Sequence, residues 1–211
     1  MIISIFYMLK YQDYNKLEIG VDECARGVLF GRIYSAAVIY PKDTIPKDIE
    51  ELINDSKKLS AKKRDFIYNN VLKYVKYHVS YVENDEIDSE GIQPSNYKAF
   101  HEAIKGLNVK PDKILVDGRC FKDFYYNNEK IDHECIIKGD TKYLSIALAS
   151  IIAKVEHDNY IISLVKENPE LEKYDLLNNM GYGTNNHINA IQKYGYTKYH
   201  RLSYKIKKLI I

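Results

Sequence analysis

The chain has 211 residues, of which 45% are hydrophobic and 28% charged, with 31 Lys and Arg against 29 Asp and Glu. That balance excludes a disordered tail, a collagen-like repeat and a coiled coil. A chain of this length buries roughly 70% of its unfolded surface and needs no disulfide or structural metal to fold.

In chain order, the apolar run at residues 2–9 is far short of the roughly 20 residues that span a membrane. It also lacks the basic lead and small-residue cleavage site of a signal peptide. Residues 1–16 therefore read as an N-terminal arm. Residues 17–22 read as a short strand ending in acid, and residues 31–40 as its hairpin partner, stopped by Pro41. Ser60 is placed to cap a helix running to about Tyr77, with Phe66, Ile67, Val71, Leu72 and Val75 on one face. A strand follows at 77–83, and apolar positions Tyr97, Phe100, Ile104 and Leu107 mark a helix over 96–107. Strands are expected at 113–117 and 133–137, a long apolar helix at 142–166 before Pro169, and a last helix at 186–194. Strands interleaved with helices predict an α/β fold with a mixed sheet flanked by helices. The domain reading is an arm (1–16), a catalytic domain (17–175) and a small C-terminal helical basic element (176–211).

Charge is unevenly distributed. No acid follows Asp175, while Lys193, Lys198, Arg201, Lys205, Lys207 and Lys208 do, leaving 25 basic and 29 acidic groups before them. Tyrosines interleave that basic end, and Lys57, Lys58, Lys62, Lys63 and Arg64 form a second cluster. Such asymmetry suits a polyanion, most commonly nucleic acid; the plain alternative is a solvated helix face. The three cysteines, Cys24, Cys120 and Cys135, are too scattered for a disulfide framework or zinc ribbon. They fit a reducing, cytoplasmic setting.

Four acids stand at element ends. Asp22 and Glu23 follow one strand, Asp117 ends another before Gly118, and Asp140 follows Gly139 at the start of the long helix. If the two strands are parallel neighbours, their carboxyl ends share an edge, where open α/β sheets bind ligands. Four carboxylates in one pocket repel one another, and divalent ions remove the conflict. Hard oxygen donors suit Mg²⁺ or Mn²⁺, and two such ions catalyse phosphodiester hydrolysis.

At this point the sequence resembles the ribonuclease HII family. Asp22 to Val28 resembles its Asp-Glu-Ala-Gly-Arg-Gly-Pro motif, and Asp55-Ser56-Lys57-Lys58-Leu59 matches another, preceded by Asn54. Val116-Asp117-Gly118, Lys138-Gly139-Asp140 and the run from Ser145 to Val155 match in order. So do Gly181, Tyr182, Thr184 and His187, and then His200 to Tyr204. The resemblance implies an RNase H-like fold and a metal-dependent endoribonuclease acting on the RNA strand of RNA–DNA hybrids. It also implies cleavage 5′ of ribonucleotides embedded in duplex DNA, leaving a 3′-hydroxyl and a 5′-phosphate. By the same resemblance Asp22, Glu23, Asp117 and Asp140 are the catalytic metal ligands for two ions. The Ala25-Arg26-Gly27 loop meets the ribonucleotide, and Tyr182 packs against the neighbouring sugar. Asn54, Ser56, Lys57, Lys58, Thr184, His187 and Arg201 complete the expected substrate-binding set.

Three positions depart from the family pattern. Ala25 replaces the loop's first glycine, Val28 its proline, and Met180 a lysine before Gly181. No sliding-clamp peptide is evident, and the chain reads as complete, so a monomer is expected. The competing readings are another RNase H-like nuclease, such as a junction resolvase, and a non-catalytic nucleic-acid-binding domain. The second requires loss of an acid, and none is lost.

Overall fold

The computed structural model describes residues 13, 15–41 and 43–206. The expected arm, apart from its last few residues, and Lys207 and Lys208 lie outside the described residues.

Strand β1 (Glu18–Cys24) is followed by β2 (Ile33–Ile39), a short helix α1 (Lys47–Glu50), a 3₁₀ turn at Ser56–Lys58, and helix α2 (Ala61–Val71). Next come β3 (Lys76–Val82), α3 (Asn84–Glu90), α4 (Ile92–Gly106), β4 (Lys113–Asp117), and a two-stranded ribbon of β5 (Tyr125–Tyr126) and β6 (Glu129–Lys130). The chain continues through β7 (Asp132–Ile136), a 3₁₀ turn at Gly139–Thr141, and α5 (Leu144–Glu167). A further 3₁₀ turn at Pro169–Tyr174, α6 (Leu176–Asn179) and α7 (Asn185–Tyr194) complete the order.

The main sheet runs β3-β2-β1-β4-β7. Its first three strands are antiparallel neighbours, whereas β1, β4 and β7 are parallel. Strand alternation sorts the two faces. Ile19 and Val21 of β1 pack with Phe100, Ala103 and Ile104 of α4. On the other face lies α5, whose Ala147, Leu148, Ile151 and Ile152 share a core with Ala36 and Val38 of β2. Gly20 permits this layer to close, because a Cβ there would come within 2.5 Å of the Ser145 backbone.

The Ser60 cap holds, its hydroxyl accepting from the Lys63 N–H, but α2 ends at Val71 rather than near Tyr77. The chain must become extended by Lys76 to pair with Ile39, and tertiary pairing overrides the local helical pattern. Phe66, expected on the apolar face, is 51% exposed. Helix α5 begins at Leu144, so Asp140 lies in the preceding 3₁₀ turn and not on the helix itself.

The C-terminal residues are knitted into the body. Phe30 bridges to His200, and a shared core joins Phe30, Ile161, Leu171, Tyr174, Ala190 and Ile191.

Candidate active site

The register of the parallel strands assembles the acids. Val21 pairs with Val116, so Asp22 and Asp117 stand side by side just past the last β1–β4 pair, while β1 itself, expected to end at Asp22, runs on to Cys24 paired with β2. Asp140 reaches the same edge from the turn after β7, where Lys138 adopts left-handed backbone at φ 56. The Gly139 N–H donates to Asp117 Oδ1 at 2.7 Å, tying that turn to β4. Asp22 Oδ1 accepts from the Glu23 N–H at 2.7 Å, and the Ser35 hydroxyl donates to the Asp22 carbonyl at 3.1 Å.

Electrostatics mark these four as one site. Burial, reinforced by Glu23, Asp117 and Asp140, holds the Asp22 carboxyl well above the usual range. Burial and then Asp117 raise Glu23, against the pull of Arg26 and Lys57. Asp140 is pushed up to about 6 by burial, by Asp117 and by Asp55, whose carboxyl shares a hydrogen bond with it. Burial would lower the Lys57 ammonium, yet Asp22, Asp140, Asp55 and Asp117 together raise it. Such a cluster of carboxylates is unstable as a set of anions and calls for added positive charge. Its donors are hard oxygens, which fit Mg²⁺ or Mn²⁺. Among the described residues no group of three or more His, Cys, Asp or Glu side chains is arranged to hold an ion as it stands. The fit is one of charge and donor type.

The remaining expected residues divide into an exposed and a buried set. Arg26, Gly27, Asn54, Lys57, Lys58, Tyr182 and Thr184 are exposed around the carboxylate edge and its flanking loops. Ala25 is buried and left-handed at φ 70. Asp55 accepts from the Lys57 N–H at 2.9 Å and so shapes the lysine turn. Tyr182 is 41% exposed with Lys154 Nζ 5.6 Å from its ring centre.

Besides Ala25, three of the expected substrate-binding residues have buried side chains engaged within the protein. Ser56 is 4% exposed and its hydroxyl pairs with that of Ser150 at 2.7 Å. His187 is fully buried, bonded to the Tyr182 carbonyl at 2.9 Å and to His200 at 3.2 Å. Arg201 is 1% exposed and donates to the Gly31 carbonyl at 2.8 Å and the Arg26 carbonyl at 3.1 Å. Thr184 caps α7 through its hydroxyl.

Sequence reasoning missed Gln93, whose side-chain oxygen accepts from the Arg26 guanidinium. It also missed Asp88, which accepts from the Leu202 and Ser203 N–H groups at 2.8 and 2.9 Å. Neither lies in a motif. Asp55 does stand inside one, the Asp55–Leu59 motif, and lies close enough to Asp140 to raise it.

The fold is a mixed α/β sheet with a helix on each face, and its site is a cluster of carboxylates gathered where its parallel strands end, a donor set suited to metal-assisted hydrolysis. The ribonuclease HII family model matches residues 19–207. A ribonuclease HII of Cytophaga hutchinsonii is 39% identical over 202 residues, covering 95% of both chains. The ribonuclease H2 of Pyrococcus horikoshii superposes with a TM-score of 0.71 at 24% identity, covering 89% of this chain and 93% of that one. A Bst ribonuclease HIII in complex with Mn²⁺ gives a TM-score of 0.66 at 20% identity, covering 84% of this chain and 62% of that one. The chain belongs to the ribonuclease HII family and is a metal-dependent endoribonuclease acting on RNA–DNA hybrids. The junction-resolvase and non-catalytic readings are thereby set aside.

Proposed function

We propose that the protein also cleaves duplex DNA on the 5′ side of single embedded ribonucleotides, leaving a 3′-hydroxyl and a 5′-phosphate, and serves ribonucleotide removal in replication and repair. The observation that carries this reading is the meeting of Asp22, Glu23, Asp117 and Asp140 beside the exposed Arg26-Gly27 loop. A 2′-hydroxyl is the local mark that separates RNA from DNA, and reading it requires close backbone approach. Gly27 has open space where a side chain would stand.

The four carboxylates would hold two divalent ions, Mg²⁺ or Mn²⁺. When bound, the ions supply the positive charge that activates water and stabilises the leaving oxygen. Lys57 and Lys58 neutralise backbone phosphate on the approach to the carboxylates. Tyr182 presents an exposed ring to a sugar, steadied from behind by His187 on its carbonyl. Ser56 and Arg201 act as supports of the phosphate turn and of the ribose loop, consistent with their burial. The working form in this reading is a monomer, like single-chain members of the family, in the cytoplasm.

A labelled duplex with one internal ribonucleotide, compared with an all-DNA duplex of the same sequence, tests the reading. Mg²⁺-dependent cleavage only of the first, with the ribonucleotide on the 5′-phosphate product, is expected. Cleavage of neither duplex by enzyme active on a long hybrid would refute it.

A further inference from the structure

The backbone carbonyl of Arg26 is held from the protein side by two donors. The Tyr204 hydroxyl donates to it at 2.6 Å, and Arg201 Nη1 donates to it at 3.1 Å. The two donors are themselves joined, Arg201 Nη1 reaching the Tyr204 oxygen at 3.2 Å. Their own positions are fixed. Arg201 Nε donates to the Gly31 carbonyl, and the Tyr204 ring packs against the cluster of Ile33, Val82, Ile87 and Ala99. Asp88 pins the intervening backbone through the N–H groups of Leu202 and Ser203.

A peptide unit is planar and trans, so its carbonyl and the following N–H point in opposite directions. Fixing the Arg26 carbonyl inward therefore turns the Gly27 N–H outward. Gly27 is exposed, and a Cβ built on it meets nothing within 4 Å, so the surface beside this peptide is open. An outward N–H on that open surface is a donor that an acceptor on an incoming ribose or phosphate can meet.

We propose that Tyr204 is a specificity-positioning residue: its hydroxyl, together with Arg201, orients the Arg26–Gly27 peptide so that the Gly27 N–H meets substrate at a DNA–RNA junction. The inference rests on the loop's role in reading a single ribonucleotide. A long hybrid offers many registers and tolerates a loosely held loop, whereas a single ribonucleotide offers one. Loss of the hydroxyl therefore acts on the second substrate more than on the first.

The test is Tyr204→Phe in the full chain, which keeps the ring and its packing. On the single-ribonucleotide duplex, kcat should fall about three- to tenfold, the worth of one hydrogen bond, with KM within about twofold. On a long RNA–DNA hybrid, kcat/KM should stay within about twofold. Amide exchange at residues 25–28 should quicken while the melting temperature falls by no more than about 4 °C. An equal fall on both substrates, or an unchanged ratio with unchanged exchange, would overturn the inference while wild-type junction cleavage leaves the proposed function standing. Wild-type enzyme that cleaves the hybrid but not the single ribonucleotide would overturn both.

Discussion

Replacing Ala25 by glycine relieves a strain visible in the backbone. Ala25 sits at φ 70, where an L-residue costs about 1 kcal/mol over glycine. Its methyl is not what substrate meets: the residue is 3% exposed and shares the core with Cys24 and Val28. Any effect on ribose recognition therefore runs through the loop's backbone. For stability the terms nearly cancel. Glycine gains about 1 kcal/mol from relieved strain and loses about 0.8 kcal/mol of buried methyl. It also loses about 0.4–1 kcal/mol to the freer unfolded chain. The net is between about zero and −1 kcal/mol, or a fall of at most about 4 °C in melting temperature. For catalysis, relief of about 1 kcal/mol in the cleaving geometry caps the gain near fivefold. Ala25→Gly should raise kcat/KM on a single-ribonucleotide duplex, relative to a long hybrid, by about two- to fivefold. Steady-state kinetics of both proteins on both substrates measure this. An unchanged or reversed ratio would refute the idea that strain at Ala25 limits junction recognition.

Other outcomes follow from the same geometry. Asp140 titrates at about 6 against an ordinary 3.8, so ionising it costs stability as pH rises from about 4 through 6. In EDTA, Asp140→Asn should melt a few degrees above wild type at pH 7, the gap closing by pH 4 and reversing when Mg²⁺ is added at pH 7; equal melting at pH 7 in EDTA would contradict the burial argument. Gly20→Ala would drive a methyl to 2.5 Å from the Ser145 backbone and should destabilise by about 1–3 kcal/mol, read by urea unfolding. Lys193 and Lys198 are exposed in the basic C-terminal stretch. Replacing both by Ala should lower the salt slope of duplex binding by roughly one unit per lost phosphate contact; an unchanged slope would mean that this end serves only packing.

The strand carrying Asp117 is legible to the residue, because a β-rich run bounded by Asp112 and Gly118 leaves no other reading. The gathering of the acids is legible only on the condition that their strands are parallel neighbours, which the β1–β4 pairing supplies. What sequence hides is long-range satisfaction of polar groups. Arg201 bonds a carbonyl 170 residues away, and a terminal arginine among lysines reads as a surface charge until that partner is seen. His187 and Ser56 are hidden in the same way, each buried against a partner outside its motif. Helix α3 carries no apolar stripe to announce it, with Asn84 and Ile87 its buried residues. The β5–β6 ribbon did leave a signal. Asn127 and Asn128 both take positive φ, 49 and 66, as a two-residue hairpin turn demands, and paired asparagines are suited to it.

The central claim is that Asp22, Glu23, Asp117 and Asp140 form one metal-dependent hydrolytic centre. Cleavage of a labelled RNA–DNA hybrid by wild type, Asp22→Asn and Asp117→Asn, each with Mg²⁺ or EDTA, tests it most directly. Each substitution removes a charged oxygen donor while nearly preserving shape. Both variants should keep the wild-type circular dichroism spectrum and lose at least about a thousandfold in kcat, a barrier increase of roughly 4 kcal/mol. EDTA should silence wild type and Mg²⁺ restore it. Folded variants retaining activity within about tenfold of wild type, or cleavage that persists in EDTA, would contradict the account.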